Sequence, residues 1–194
     1  MSYAQSVANL VSNPNFTPPG RIIIGWADQF KNCQTTFKCV INSTTGWKDS
    51  TSLQLSTGTA NKTVWSSIYG NGINVKPHEN YNIVTHMKLN KFATQSHVVV
   101  EGYNQISKRW DQISQCPSGT NGPLQWKEFS CKITIPTGIS QIRPVLRAGS
   151  TSLPGKEAVT LFDSISISKA APGTSNSTGL SPSAASSSIP GLLH

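Results

Sequence analysis

Acidic side chains are scarce in this chain, eight Asp and Glu among 194 residues, spread singly from Asp28 to Asp163. No two of them form a recognisable catalytic motif, and a glycosidase pair could be assigned only with a fold in hand. Histidine is scarcer still (His78, His86, His97 and His194). No Gly-x-Ser-x-Gly elbow, phosphate loop or His-Glu-x-x-His is present, so the chain reads as a non-enzyme. No apolar run approaches the roughly 20 residues that a membrane helix needs, so membrane insertion is not expected. No stretch sustains helical periodicity, which argues against an all-α fold. Cys-x-x-Cys and His-x-His spacings are also missing, which argues against zinc.

Positive charge is the counterpart of the missing acids: sixteen Lys and Arg leave a formal net charge of +8. These residues are scattered, and only Lys108 and Arg109 are adjacent. A nucleic-acid binder concentrates its charge in a patch or stripe, so nucleic acid is not an expected partner. The charge reads as solubility, or as attraction to anionic surfaces and acidic glycans. The N-terminal MSYAQSVANL lacks a charged region followed by an apolar stretch, so no signal peptide is visible. The four cysteines and the sequons at Asn15, Asn42, Asn61 and Asn176 nevertheless suit an extracellular or cell-surface glycoprotein. A removed signal, or a sequence that begins at a domain edge, reconciles the two. Local proximity favours the disulfides Cys33–Cys39 and Cys116–Cys131, although four cysteines permit three connectivities. Four reduced thiols are the alternative.

Short alternating segments fill residues 1–169, and turn signals such as Gly70-Asn71-Gly72 and residues 76–80 (KPHEN) separate them. Residues 32–48 read as a loop holding the first cysteine pair, and the stretch from Trp110 through Cys116 to Trp126 as an irregular excursion. About nine short strands result, which predicts an all-β, two-sheet jelly-roll β-sandwich, with an immunoglobulin-like sandwich as the alternative. Residues 170–194 are Ser-, Pro- and Gly-rich and nearly uncharged, the composition of a linker or tail. The last alternating stretch, residues 157–169 (EAVTLFDSISISK), places Val159, Leu161, Asp163, Ile165 and Ile167 on one face. Taken as the inward face, it buries the carboxylate of Asp163. Such a group needs a cation, a set of N–H donors, or a bulge that turns it outward.

The opening NLVSNPNF, then Gly25-Trp26, KPHENYNIVTHMKL, WKEFSCKITIP and the closing LFDSISIS fall in an order that resembles the carbohydrate-binding modules of the galactose-binding-like jelly-roll superfamily. These modules are appended to xylanases and laminarinases, and the resemblance runs from about residue 9 to residue 168. It implies a β-sandwich that binds glycans on a concave sheet face or loop edge, with a structural calcium near the chain ends. Where the family commonly has an acid after the Asn-Pro-x-Phe turn, this chain has Thr17. Where it often has two acids in the last strand, this chain has Asp163-Ser164. The resemblance therefore implies a calcium site at Asp163, with Asn15 and Thr17 as its nearest candidate partners. Satisfaction of the carboxylate by N–H groups or by Arg21 is the alternative without a metal.

Sugars present apolar C–H faces ringed by hydroxyls, so their sites combine aromatic platforms with hydrogen-bonding side chains. Trp65 and Tyr69 share one predicted face, and His86, Tyr103, Arg143 and Arg147 sit at predicted outward positions. Trp47 and Trp110 fall in predicted loops, where sheet packing does not require an aromatic. Trp26 and Trp126 read as packing residues. The expected function is noncatalytic binding of a polysaccharide or glycan by an extracellular module tethered through its flexible tail. The alternative is a structural or adhesive module of a cell-surface or filament-forming protein, with neighbouring domains or subunits as partners.

Overall fold

The computed structural model describes residues 8–12, 14–16, 26–28, 38–56, 66–94, 96–117, 124–148, 153 and 155–171. Thr17, Arg21, Cys33, Asn61, Trp65 and the stretch 172–194 lie outside them. Eleven strands run through the described residues. The first five are β1 (Trp26–Asp28), β2 (Lys38–Asn42), β3 (Ser52–Ser56), β4 (Ser66–Gly70) and β5 (Ile73–Asn74). There follow β6 (Asn80–Leu89), β7 (His97–Asn104) and β8 (Arg109–Gln115). The last are β9 (Lys127–Thr134), β10 (Ile139–Ala148) and β11 (Val159–Lys169). One sheet has the order β1-β4-β10-β7-β8 with β5 beside β10, and the other has the order β2-β3-β11-β6-β9. All described pairings are antiparallel.

Alternation builds the core between the sheets. Leu53 and Leu55 of β3, Tyr81, Ile83, Met87 and Leu89 of β6, and Ile142 and Leu146 of β10 all turn inward and are buried. Each large aliphatic side chain taken from water contributes about 1.5–3 kcal/mol before the entropy of ordering is subtracted. Trp26 belongs to this core, its ring 5.2 Å from that of the buried Phe16. The first described segment runs along β11: Leu10 N–H donates to Ile167 O at 2.9 Å, and Ile165 N–H donates to Pro14 O at 3.0 Å.

Two stretches expected to be irregular are strands. β2 lies within the predicted 32–48 loop, and β8 carries Trp110. Among the described residues both are edge strands, ordered by backbone bonds to one neighbour each, so neither needs a strong apolar alternation.

The face of β11 is also corrected. Thr160 and Phe162 pair with the inward Leu55, Leu89, Leu53 and Met87, so the first half of the strand buries its even positions. At Ser164, with φ 50°, the register against β6 slips by one residue between Asp163 and Ser166. That bulge reverses the alternation, and Ile165 and Ile167 return to the core. Leu161 and Asp163 therefore sit on the outer side.

Cys116, just past β8 in the first sheet, is bonded to Cys131 of β9 in the second, with Cα atoms 5.3 Å apart. The predicted bridge thus clips the edges of the two sheets together.

Candidate functional site

On the outer face of the first sheet, alternation and register bring four strands' polar and aromatic residues together. Ile68, Ile142 and Leu146 point into the core, so Tyr69, Arg143 and Arg147 point out. Arg143 lies opposite Glu101 on β7, Glu101 lies opposite Gln112 on β8, and Tyr103 lies opposite Trp110. Arg143 donates through Nε and Nη2 to Oε2 of Glu101 at 2.9 and 2.7 Å. Its guanidinium carbon sits 4.0 Å from the Tyr69 ring centroid and 4.3 Å from that of Trp110. The cation is thus held between two aromatic faces while its edge is bonded to a carboxylate.

Arg147 approaches the other oxygen of Glu101 at 3.6 Å and donates to Gln112 Oε1 at 3.0 Å. Glu101 is only 5% exposed, a burial that its two guanidinium partners make tolerable. Tyr103 tilts against Trp110 with ring centroids 5.5 Å apart. Gln141 donates to Asn74 at 2.9 Å at one end of the face. A Cβ on Gly72 would lie 3.4 Å from the Trp110 ring, so glycine lets the β4–β5 turn come close beside it.

Trp47 and His86 do not join this group, because they lie on the opposite sheet. His86 points outward from β6 as alternation predicts, yet it is only 8% exposed. The Trp47 ring is stacked on it at 4.3 Å and 13°, which covers the imidazole. Burial pushes the His86 pKa below its usual value, Glu128 at 3.6 Å pulls it back up, and Lys48 pushes it down. The predicted set of binding residues therefore divides. Tyr69, Tyr103, Trp110, Arg143 and Arg147 share one surface, whereas Trp47 and His86 share another.

The loop carrying Trp47 is closed by Asp163, which is 1% exposed beneath it. Trp47 N–H donates to Oδ2 and Ser164 N–H to Oδ1, each at 2.6 Å. Burial raises the carboxyl's pKa above its ordinary value, those two donors oppose the shift, and Asp49 adds to it. A Cβ on Gly46 would run into the carbonyl oxygens of Thr51 and Asp49 and into Asp49 Oδ1, so oxygens crowd this loop. Thr51 Oγ1 also reaches the Asn15 carbonyl at 3.3 Å. Carboxylate and carbonyl oxygens are the kind of donor that a hard cation such as calcium takes; among the described residues no third acid, histidine or cysteine joins the two carboxylates.

Sequence reasoning did not single out Asp49 for this loop, nor Gln112, Gln141 and Asn74 for the outer face. Nor did it assign a role to Glu101. For Gln112 the signal was available in its spacing from Trp110, once β8 is recognised as a strand. Asn74 and Gln141 meet only through the pairing of β5 with β10.

No protein-family model matches the chain, and no curated protein matches it. Solved structures do. A structure described as Family 16 Carbohydrate Binding Module-2 is 17% identical with a TM-score of 0.59, over 82% of this chain and 99% of that one. The xylan-binding domain from carbohydrate-binding module family 22 is 15% identical with a TM-score of 0.56, over 84% and 96%. The CBM22-1 xylan-binding domain from Paenibacillus barcinonensis Xyn10C is 18% identical with a TM-score of 0.54, over 87% and 99%. At these identities the likeness carries the fold, which for this chain is a jelly-roll β-sandwich of the kind found in carbohydrate-binding modules.

Proposed function

We propose that this chain is a noncatalytic glycan-binding module whose site is the outer face of the first sheet. One observation carries the reading: the Arg143 guanidinium is fixed between Tyr69 and Trp110 and bonded to Glu101. Fixed aromatic rings offer area to sugar C–H faces at little entropic cost, and Arg, Gln and Asn around them supply hydrogen bonds to hydroxyls. The fold is shared with modules whose structures are described as xylan-binding, which supports the same reading. Glu101 is committed as an acceptor to two guanidinium groups, and Asp111 pairs with Arg109 at 2.9 Å, so neither is presented as a free acid or base.

Trp110→Ala and Tyr69→Ala test the site by affinity electrophoresis in polysaccharide gels. Each is expected to weaken retention about tenfold or more, as for an aromatic anchor at an interface. The melting temperature should move by less than about 4 °C, since neither ring lies in the core. Retention unchanged in both variants would place the site elsewhere. Release of reducing sugar from a retained polymer would overturn the noncatalytic assignment.

We also propose a structural calcium at the Asp163 closure. Asp49 and Asp163, with the carbonyls of Asp49 and Thr51 and with Asn15 beside them, would hold the ion. Its chemistry would be to bind the closing strand, the Trp47 loop and the first segment to one another. The protein would act outside the cell, where the Cys116–Cys131 bridge is stable, tethered through residues 170–194. Asn15 is exposed and open to glycosylation. Asn42 already donates to Gln54 at 3.2 Å and accepts from Thr44 and Thr45.

A further inference from the structure

Three ionised side chains meet on the outer face of the first sheet: the guanidinium groups of Arg143 and Arg147 and the carboxylate of Glu101. Among the described residues one anion serves two cations, which leaves one positive charge over. At the rim, Arg109 and Asp111 pair and cancel. The surplus is not dispersed in solvent. The side chains of Arg143 and Arg147 are 12% and 22% exposed, and that of Glu101 is 6% exposed. In such a half-dry position an unbalanced charge is weakly screened and acts strongly on whatever lies against it.

The donors are not used up either. Arg143 spends Nε and Nη2 on Glu101, and Arg147 spends Nη1 on Gln112. Among the described residues, Nη1 of Arg143 and Nε of Arg147 donate to no acceptor. The two rings that flank Arg143 would bring a stacked sugar to this same edge.

We infer that the ligand of this face is an acidic glycan, one whose sugar rings carry carboxylate groups, with the open guanidinium edges of Arg143 and Arg147 as the carboxylate-binding point. The inference rests on the glycan-binding reading and narrows it to uronate-bearing polymers. A guanidinium fork matches a planar carboxylate in shape and charge, two N–H groups to two oxygens. A neutral sugar would cover the same edges and leave the surplus charge desolvated without a counter-charge, which costs affinity. The formal charge of +8 on the whole chain would steer a polyanion toward it.

The test is affinity electrophoresis of the full chain in gels containing neutral, uronate-bearing and sulfated polysaccharides. Each retained uronate polymer is run again after reduction of its carboxyl groups to alcohols. The strongest retention is expected on a uronate polymer, and carboxyl reduction should weaken it about tenfold, the scale of one lost charge-assisted contact. Arg147→Gln should shrink the ratio between the native and the reduced polymer about fivefold or more. Arg147 is the better choice of variant because Glu101 keeps its bonds to Arg143, so no buried carboxylate is orphaned; a melting curve checks the fold. Strongest retention on a neutral or sulfated polymer, or a ratio unmoved by carboxyl reduction, overturns the inference and leaves the glycan-binding reading standing. Retention by none of the polymers overturns both.

Discussion

Asp163 is buried on the outer side of β11, not in the core, because the Trp47 loop folds over it. Its two N–H donors come from Trp47, 116 residues away in sequence, and from Ser164, whose left-handed backbone makes the bulge. Those donors offset part of the cost of burying a carboxylate, and a calcium ion shared with Asp49 would offset the rest. Chelation of calcium is therefore expected to lower the melting temperature of the wild-type chain. Asp163→Asn should cost about 1–3 kcal/mol, since an amide cannot accept from both N–H groups at once. That variant should then be nearly indifferent to chelator. A wild-type melting curve that chelator does not move would leave Asp163 satisfied by N–H groups alone.

β7 links the core to the binding face. Glu101 and Tyr103 point out, while Gly102 between them points in. A Cβ there would lie 2.9 Å from Ile139 Cγ2 and 3.0 Å from Ile113 Cγ2. Both neighbours belong to the adjoining strands β10 and β8, so neither can move without shifting a strand. Gly102→Ala is expected to cost about 1–3 kcal/mol by overpacking. Glycan retention should weaken with it, because the same shift displaces Glu101 relative to Arg143. Thermal melting and affinity electrophoresis of this variant check both, and an unchanged melting temperature would show that the contact relaxes locally. β7 itself was legible from its run of valines, and β6 from its alternation. β8 was not, since RWDQISQ carries polar residues on both faces and its order comes from pairing with β7.

The two sheets are held by their shared core and by the Cys116–Cys131 bridge, which closes a loop of 15 residues. Loop-closure entropy for that length is worth about 3 kcal/mol. Replacing both cysteines with alanine should thus lower the melting temperature by about 6–12 °C for a domain of this size. A loss below about 2 °C would show that the core alone fixes the two edges. Period-2 patterning by itself determined the all-β class, most of the inward residues, and the outward placement of Tyr69, Tyr103, Arg143 and Arg147. These follow from local sterics and from which side of a strand is apolar. Only the tertiary structure decided what a strand pattern cannot carry. The extra residue at Ser164 reversed the faces of β11, because a bulge depends on the register with β6. Trp47 covered His86 on one sheet while Trp110 joined Tyr69 on the other, because loops and edge strands choose their neighbours through long-range contacts. Glu101 acquired two guanidinium partners for the same reason: register across β10, β7 and β8 brings the three together, and no spacing along the chain encodes it.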